Sequence, residues 1–400
     1  MITAQQSRGA RAARLSGSPR SAPKPWGPVA LAAALAAACL SAGAAAAQSY
    51  GQFVREANTN TVTIVAGAPG ETSLEIAHDL STVLHCVDGL RIVPMAGRGD
   101  RNNVYDLLFL RGVDMAIVRA DVLDHLEQTG EFTGDLKNRV VYVAPLFEQE
   151  VHLIAPNDIQ SIEDLEGKIV NIGSPGSLGL AARRILTAAG VTVIETKLDN
   201  ALALERVIDG GIDAMFITGG KPIPLLSQLD RVNGLRLVPL AKPGDAIYDV
   251  GGFTQDDYPS LVPPGRTVET VVVPSVLAVY NWGQENERFD KNALFTRALF
   301  KRANYLRRPA RHPKWADAPL IGEIAGWRQF APAESIVAPL RDAAAETIAA
   351  APEAEPLPPE NQLEAMFERQ LQEFGIQPRT AEERALLFAA FKRRVEASIR

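Results

Sequence analysis

The chain has few of the residues and motifs on which common enzyme sites and disulfide-rich folds depend. Only two cysteines, Cys39 and Cys86, occur in 400 residues. The five histidines show no HExxH spacing and no Cys/His cluster, which argues against a zinc site. A P-loop, a GxGxxG turn and a GxSxG nucleophile turn are also missing. We therefore expect no cofactor, no metal and no enzyme activity; an enzyme on this scaffold is the alternative that a measured turnover would reveal.

Basic residues are outnumbered by acidic ones, 41 to 47, so the net charge of −6 gives no sign of a nucleic-acid partner. The first 27 residues are basic without any acidic residue, and an alanine-rich apolar segment follows and ends at Ala47. This pattern predicts a signal peptide, residues 1–47, and a periplasmic location. The alternatives are an uncleaved membrane anchor and a lipid attached at Cys39. After cleavage Cys86 alone would remain, and its position after an apolar helical pattern predicts a buried side chain.

Two glycine-proline corners occur in the sequence, each between an apolar run and an amphipathic one. Gly67-Ala-Pro-Gly70 follows "VTIVA", and Gly173-Ser-Pro-Gly176 follows "KIVNI". Downstream, "LRGVDMAIV" matches "DGGIDAMFI", with Asp114 aligned on Asp213. Both aspartates precede their strands, away from the corners, and we expect them to be structural. Two matched elements in the same order predict two lobes of similar construction; chance similarity of generic strand-helix units is the alternative.

Strands and helices alternate along most of the chain, which predicts an α/β fold with mostly parallel sheets. "VVYVAPL" and "VHLIA" are predicted as two strands separated by the polar "FEQE". We assign residues 55–153 together with 241–330 to lobe 1 and residues 154–240 to lobe 2, so that the chain crosses near Ile154 and near Pro239. Because ligands bind at the carboxyl ends of parallel strands, the two corners would face each other across a cleft that closes on a small molecule.

Four stretches together resemble the TAXI-type solute-binding subunits of TRAP transporters: "VTIVAGAPG", "GRGDRNNVYDLLFLRGVDMAIVRAD", "LEGKIVNIGSPGS" and "IDGGIDAMFITGGKP". The resemblance runs from about residue 60 to residue 330. It implies a type II periplasmic-binding-protein fold, a two-lobe clamshell that delivers a small acidic solute to a membrane permease. A ligand-binding sensor or scaffold protein of the same fold is the alternative to transport.

The resemblance and the chemistry of helix N-termini together select candidate ligand-binding residues. Unpaired N–H groups after the second corner, with the hydroxyl of Ser174 or Ser177, suit a carboxylate from an amino acid or a dicarboxylate. In the first corner the chain departs from the family's pattern, which commonly has aromatic residues there. The candidates are Gly67, Gly70, Glu71, Thr72, Ser73, Arg98, Asn103, Asp121, Ser174, Gly176, Ser177, Leu178, Gly220 and Lys221.

Three charged candidates each have two interpretations. Arg98 either holds a second carboxylate of the ligand bidentately or is a solvated loop arginine paired with Asp100. Asp121 either accepts from a ligand ammonium or caps the helix that follows it. Lys221 either reaches the rim of the site or is solvated.

Residues 331–400 form a predicted helical extension outside the resemblance. An alanine- and proline-rich helix and linker precede two amphipathic helices, the second of which begins with a capping box at Thr380. These helices either pack back on the lobes or present an apolar face within residues 361–400 to the permease or to a second copy of the chain.

Overall fold

The computed structural model describes residues 50–132, 135–174, 178–230, 234–350 (backbone alone from 343) and 359–373, with a few single positions elsewhere. The chain divides into two compact units, Met1–Thr59 and Asn60–Arg400. In the first unit, residues 50–58 form helix α1. The predicted signal peptide lies outside the described residues, apart from Gly27 and Ala32. In the described part of the chain, no helix has both the length and the apolar character that a membrane span requires.

Strands and helices of the second unit follow one another much as the apolar periodicity predicts. The strands are β1 (Thr61–Val65), β2 (Arg91–Met95), β3 (Met115–Arg119), β4 (Val140–Pro156), β5 (Ile169–Asn171), β6 (Ile194–Thr196), β7 (Ala214–Gly219), β8 (Leu235–Leu237), β9 (Asp249–Phe253) and β10 (Val268–Tyr280). The helices are α2 (Thr72–Leu84), α3 (Asp100–Phe109), α4 (Ala120–Thr129), α5 (Leu136–Arg139), α6 (Leu180–Ala189), α7 (Asn200–Ile208), α8 (Pro224–Ser227), α9 (Glu287–Leu306), α10 (Ala331–Ala350) and α11 (Glu360–Glu373).

One sheet contains all these strands, and a three-strand arrangement occurs in it twice. The order is β2-β1-β3-β10-β4-β7-β5-β6, with β8 added to β4 and β9 to β10. β1 is parallel to β2 and β3, and β5 is parallel to β6 and β7. An antiparallel strand follows each set, β10 beside β3 and β4 beside β7. The expected α/β fold with C-terminal helices is confirmed, with one mixed sheet in place of the mostly parallel sheets that the sequence predicts. We call β1–β3 with their helices the first half, and β5–β7 with theirs the second half.

β4 and β10 are long antiparallel strands that run through both halves. The first part of β4 pairs with the end of β10, which also pairs with β3, whereas residues 150–154 of β4 pair with β7. The chain therefore leaves the first half near Gln149, not near Ile154, and returns within β10 near residues 272–275, not near Pro239. An apolar run does not indicate where its strand changes neighbours. The first crossing was therefore predicted too late in the chain and the second too early.

The polar "FEQE" segment does not interrupt β4, contrary to the two strands predicted from the sequence. Gln149 and Glu150 are buried within the continuous strand. Each has a partner there, because Gln149 Nε2 donates to Ser275 Oγ at 2.7 Å and the Glu150 carboxylate pairs with Lys314. Buried polar groups that are satisfied in this way do not end a strand.

The segment between β8 and β10 packs on the second half, although it was predicted within the range 241–330 of lobe 1. β9 pairs with the first residues of β10. Phe253 and Tyr258 are buried in the same cluster as Val207 and Met215 of the second half. Helix α9, later in that range, does pack into the core of the first half. The division of the chain into two lobes stays a prediction.

Both faces of each half are covered by apolar clusters. Alternate residues of a strand point to opposite faces, so Ile64 and Val65 of β1 belong to two different clusters, as do Met215 and Phe216 of β7. The start of α10 also packs on the first half, because Ala333 is buried in the same cluster as Ile64. The predicted C-terminal extension is therefore joined to the first half at its beginning.

Two smaller features complete the described chain. Cys86 is exposed and has a left-handed φ of 65°; it is not buried as predicted, because α2 ends at Leu84 and Cys86 no longer belongs to its apolar face. In α11 the buried Phe367 ring lies 5.3 Å from the ring of Phe388 and 5.6 Å from that of Phe391. The two C-terminal amphipathic segments thus contact each other, and docking of residues 361–400 on a partner stays a prediction.

The paired aspartates hold the amino-terminal side of the sheet in both halves. Asp114 Oδ2 accepts the N–H of Thr63 at 3.1 Å, and the Asp114 N–H donates to the Thr63 carbonyl. Asp213 Oδ2 accepts the N–H of Ile169 at 2.8 Å, and the Asp213 N–H donates to the Ile169 carbonyl. The same reciprocal bonds at equivalent places confirm the structural role expected for both residues.

Asp114 and Asp213 make the same reciprocal bonds, but one side chain is buried and the other is partly exposed. Replacing each aspartate in turn tests how much its bonds contribute to stability. The Asp114 side chain is 1% exposed and pairs with Lys291 Nζ at 2.7 Å, whereas the Asp213 side chain is 37% exposed. We expect Asp114→Ala to lower the free energy of unfolding by about 3–5 kcal/mol, because it leaves a largely buried lysine and a strand N–H without their partner. The matched change Asp213→Ala should cost about 1 kcal/mol. Urea denaturation followed by circular dichroism measures both, and equal losses would contradict this account.

Candidate functional site

A cavity of about 400 Å³ lies where the carboxyl ends of the parallel strands of both halves meet. Its wall includes the corners after β1 and β5, the starts of α3, α6, α7 and α8, the last residue of β3, Gln149 of β4 and the end of β7. Equivalent strands of the two halves therefore line one enclosure, at the sheet edge where ligands bind in open α/β sheets. The volume suits a small molecule.

The first corner places a carboxylate and a hydroxyl directly on a glycine. A Cβ atom at Gly67 would lie 2.3 Å from Glu71 Oε2 and 2.3 Å from Ser73 Oγ, so a larger residue would displace them. Glu71 Oε2 also accepts the N–H of Ala68 at 3.1 Å. Gly70 adopts a φ of +85°, which a glycine allows without strain. The corner thus holds Glu71 and Ser73 at the cavity wall.

Half of the predicted ligand-binding residues line the cavity. They are Gly67, Gly70, Glu71, Thr72, Ser73, Asn103 and Ser174. Gly176 and Ser177 of the second corner lie outside the described residues. The described candidates that do not line the cavity are Arg98, Asp121, Leu178, Gly220 and Lys221. The structure therefore brings the two corners together, and the part that each residue takes in binding stays a prediction.

The arginine of the cavity wall is Arg119, whereas the candidate Arg98 does not line the cavity. Arg98 is exposed in the loop before α3, whereas Arg119 is 5% exposed and lies at the carboxyl end of β3. Arg119 was not predicted because it follows an apolar run as an ordinary polar strand end would. The signal that could have identified it is a charged residue at the carboxyl end of a buried parallel strand, where ligands bind.

Asp121 fixes the position of Arg119, and neither role considered for it from the sequence is observed. Arg119 Nε donates to Asp121 Oδ1 at 3.0 Å, and the Tyr248 hydroxyl donates to Asp121 Oδ2 at 2.8 Å. Asp100 flanks the arginine on the other side: its Oδ1 accepts the Arg119 backbone N–H at 3.1 Å, and its Oδ2 lies 3.7 Å from Nε. Asp121 is fully buried and belongs to this ion pair, so it neither reaches the cavity nor caps α4.

Lys221 and Leu178 are engaged by the protein itself. Lys221 Nζ donates to the Gly252 carbonyl at 2.6 Å and to Asp257 at 3.0 Å, so Lys221 is neither at the rim nor freely solvated. The Leu178 carbonyl accepts a hydrogen bond from Arg183 at 2.9 Å, and its side chain packs against the first half's core. Neither residue contributes to the cavity wall, because each contacts other parts of the protein. These contacts join distant segments of the chain, so the sequence does not indicate them.

Gly220 joins the two halves at the edge of the cavity. Its carbonyl accepts the hydroxyl hydrogen bond of Thr72, the first residue of α2, at 2.9 Å. The approach is close, since a Cβ at Gly220 would lie 2.8 Å from Thr72 Cγ2. Gly220 therefore contacts the other half instead of lining the cavity, where it had been predicted.

Carboxylates outnumber cations in the cavity wall, which includes Glu71, Asp100 and Asp199 against Arg119. Burial raises the pKa of Glu71, and the neighbouring charge of Asp100 raises it further. Burial also raises the pKa of Asp100, and Arg119 partly offsets that effect. The described residues include no group of three or more His, Cys, Asp or Glu side chains arranged for a metal ion. The wall is therefore acidic, and its charges are poorly solvated.

A buried histidine, His152, is linked to the cavity wall by hydrogen bonds through Tyr258. His152 Nε2 lies 2.8 Å from the Tyr258 hydroxyl, which accepts the N–H of Ile223, a cavity residue, at 2.8 Å. Because the tyrosine proton is then directed to Nε2, the network assigns the ring hydrogen to Nδ1, 3.0 Å from the Glu150 carbonyl. Burial lowers the pKa of His152 to about 3, so the ring is neutral at pH 7.

The pH dependence of stability tests this buried histidine. The folded pKa of about 3 lies below the unfolded value of about 6.5. The contribution of His152 to stability is therefore complete above pH 6.5 and is lost as the pH falls through 6.5 toward 3. We expect the free energy of unfolding, measured by urea titration, to fall less between pH 7 and pH 4 in the His152→Gln variant than in the unchanged protein. The control is His78→Gln on the exposed surface of α2; parallel pH profiles for all three proteins would contradict the assignment.

A model of the NMT1-like family matches residues 64–285. This range is more than half of the 400 residues and includes every described residue of the cavity wall. Among solved structures, the chain is similar to a mutant of the protein ArgBP from T. maritima, with 12% identity, 64% of this chain and 96% of that chain covered, and a TM-score of 0.40.

Two further solved structures have comparable similarity. An ancestral arginine-binding protein bound to arginine shows 15% identity over 66% of this chain and 99% of that chain, with a TM-score of 0.39. The substrate-binding protein of an amino acid ABC transporter shows 13% identity over 61% of this chain and 95% of that chain, with a TM-score of 0.37.

Proposed function

This chain belongs to the NMT1-like family, and from that premise we propose that it is an extracytoplasmic solute-binding protein and not an enzyme. The observation that carries the proposal is the shared cavity, to which the corner at residues 67–73 and the corner at residues 173–174 both contribute. In the proposal the two halves are lobes that close on a small solute. The strands β4 and β10, which run through both lobes, form the hinge.

The proposed solute carries a carboxylate, as an amino acid does. Two groups in the wall support this choice. Arg119 places a guanidinium in the wall that pairs with Asp121 through Nε and one Nη2 hydrogen, and its remaining N–H groups suit a carboxylate of the solute. The first backbone hydrogen bond of α2 is the one that Leu74 donates to the Glu71 carbonyl. The N–H groups of Thr72 and Ser73 come before it and therefore have no partner within the helix. Such N–H groups at a helix N-terminus attract anions. The predicted contributions of Ser174, Gly176 and Ser177 from the second corner belong to the same proposal.

Thermal denaturation with added solutes tests the proposed function. Amino acids, dicarboxylates and tricarboxylates form the panel, and we expect one class to raise the unfolding midpoint with concentration, by the equivalent of about 2.7 kcal/mol at 100 times Kd. Gly67→Ala should remove most of this gain, because the added methyl group displaces Glu71 and Ser73. Gly244→Ala is the matched control, since a Cβ there meets no atom within 4 Å. A panel without any stabilising member would contradict solute binding, and turnover of a member would support the enzyme alternative.

We also propose that the protein is exported and delivers its solute to the membrane subunits of a TRAP-type transporter. The leader pattern of residues 1–47 and the TAXI resemblance support this role. A sensor or scaffold function of the same fold is the alternative, and residues 361–400 are the proposed contact with a permease or with a second copy.

N-terminal sequencing of the protein from a periplasmic extract tests export. We expect Gln48 as the first residue, because the apolar segment ends at Ala47 with small residues that signal peptidase accepts. The cytoplasmic fraction of the same cells is the control and should contain only unprocessed chain. A mature protein that retains Met1, or one that begins at a lipid-modified Cys39, would contradict the proposed cleavage.

A further inference from the structure

The ionisable side chains of the cavity wall come from both halves of the protein. Glu71 belongs to the corner after β1, Asp100 begins α3, and Arg119 ends β3, all in the first half. Asp199 precedes α7 in the second half. The wall therefore carries three carboxylates and one guanidinium.

The positive charge of Arg119 is already matched within the protein. Asp121 forms an ion pair with it at 3.0 Å, and the Asp100 carboxylate lies 3.7 Å from the same Nε. Two carboxylates on one guanidinium leave this group of three with a net negative charge. A solute with two carboxylates would add further negative charge beside it, at a site where burial already penalises charge.

Neither Glu71 nor Asp199 forms an ion pair with a described residue, although the charge of Arg119 lowers the pKa of Glu71. Two lysines beside the end of β7 pair with other carboxylates, Lys221 with Asp257 and Lys314 with Glu150. Glu71 precedes α2 but makes no side-chain capping bond. Asp199 caps α7 by accepting the N–H of Ala201 at 3.0 Å. Burial and the charge of Asp100 raise the pKa of Glu71 most, the Ala68 N–H and Arg119 lower it, and Asp199 adds a smaller rise.

From this charge distribution we propose that the solute carries a positively charged nitrogen, bound between Glu71 of the first half and Asp199 of the second. The inference rests on the proposed solute-binding function and narrows its ligand class from carboxylates in general to zwitterions with a cationic amine. A cation placed there pairs with both carboxylates and removes their mutual repulsion. Because the two carboxylates belong to different halves, such a ligand also favours the closed arrangement.

Three probes of equal chain length separate the charge classes. They are glutarate with two carboxylates, 5-aminopentanoate with one carboxylate and one amine, and 1,5-diaminopentane with two amines. Thermal denaturation and calorimetry of the full chain should show stabilisation by 5-aminopentanoate and none by glutarate at the same concentration. Stabilisation by glutarate that equals or exceeds that of 5-aminopentanoate would overturn the cation inference and leave solute binding intact.

The other two outcomes are also decisive. If 1,5-diaminopentane alone stabilises the protein, the cation inference stands, whereas the carboxylate in the proposed function fails. The third outcome is that none of the three probes stabilises the protein, whereas solutes without an amine from the wider panel do. In that case the cation inference fails while the proposed function stands.

Variants of the two carboxylates locate the cation. Glu71→Gln and Asp199→Asn should each weaken binding of 5-aminopentanoate about tenfold, because each removes one charge-assisted bond. Asp209→Asn is the matched control, since it removes the same charge from the exposed far end of α7. Equal affinity of the two cavity variants and the control would overturn the assignment. Circular dichroism of each variant establishes that the fold is retained.

Discussion

The antiparallel pairing of β4 with β10 is the interaction on which the arrangement of the site depends. These two strands are the part of the sheet that both halves share, and each half adds its three parallel strands to one side of the pair. The hydrogen bond between Gln149 and Ser275 lies near one end of the paired stretch, next to Glu150, and Gln149 also lines the cavity. The relative position of the two corners is therefore set by β4 and β10, although neither strand contains a corner.

A buried charge lies at the same place. Glu150 follows Gln149 on β4, accepts the N–H of Lys221 at 2.9 Å and pairs with Lys314. Burial raises the pKa of Glu150, and the charge of Lys314 opposes that shift. Lys221 follows β7 of the second half, whereas Lys314 lies after α9, which packs on the first. A buried ion pair adds little net stability but specifies geometry, because either charge left alone is costly. Glu150 thus fixes segments from both halves at their boundary.

The parts of the fold that could be predicted are those with local signals. The corners at Gly67 and Gly173 and the aspartates before β3 and β7 are visible because turn residues and strand starts have local residue preferences. The pairing of β9 with β10 could not be predicted, since it joins distant strands without any local pattern. For the same reason the sequence indicated Arg98, which lies beside a glycine turn, and not Arg119. The position of Arg119 depends on Asp100 and Asp121, and their convergence is a property of the folded chain.

The hydrogen bond from the Thr72 hydroxyl to the Gly220 carbonyl has a consequence for kinetics. It joins the two halves at one edge of the cavity, so the halves cannot separate along that edge until the bond breaks. Both groups are neutral and buried, and dissolved salt therefore does not screen their attraction. For a solute enclosed as proposed, the residence time would therefore depend on the opening motion of the backbone, whereas ionic strength would act on the encounter outside.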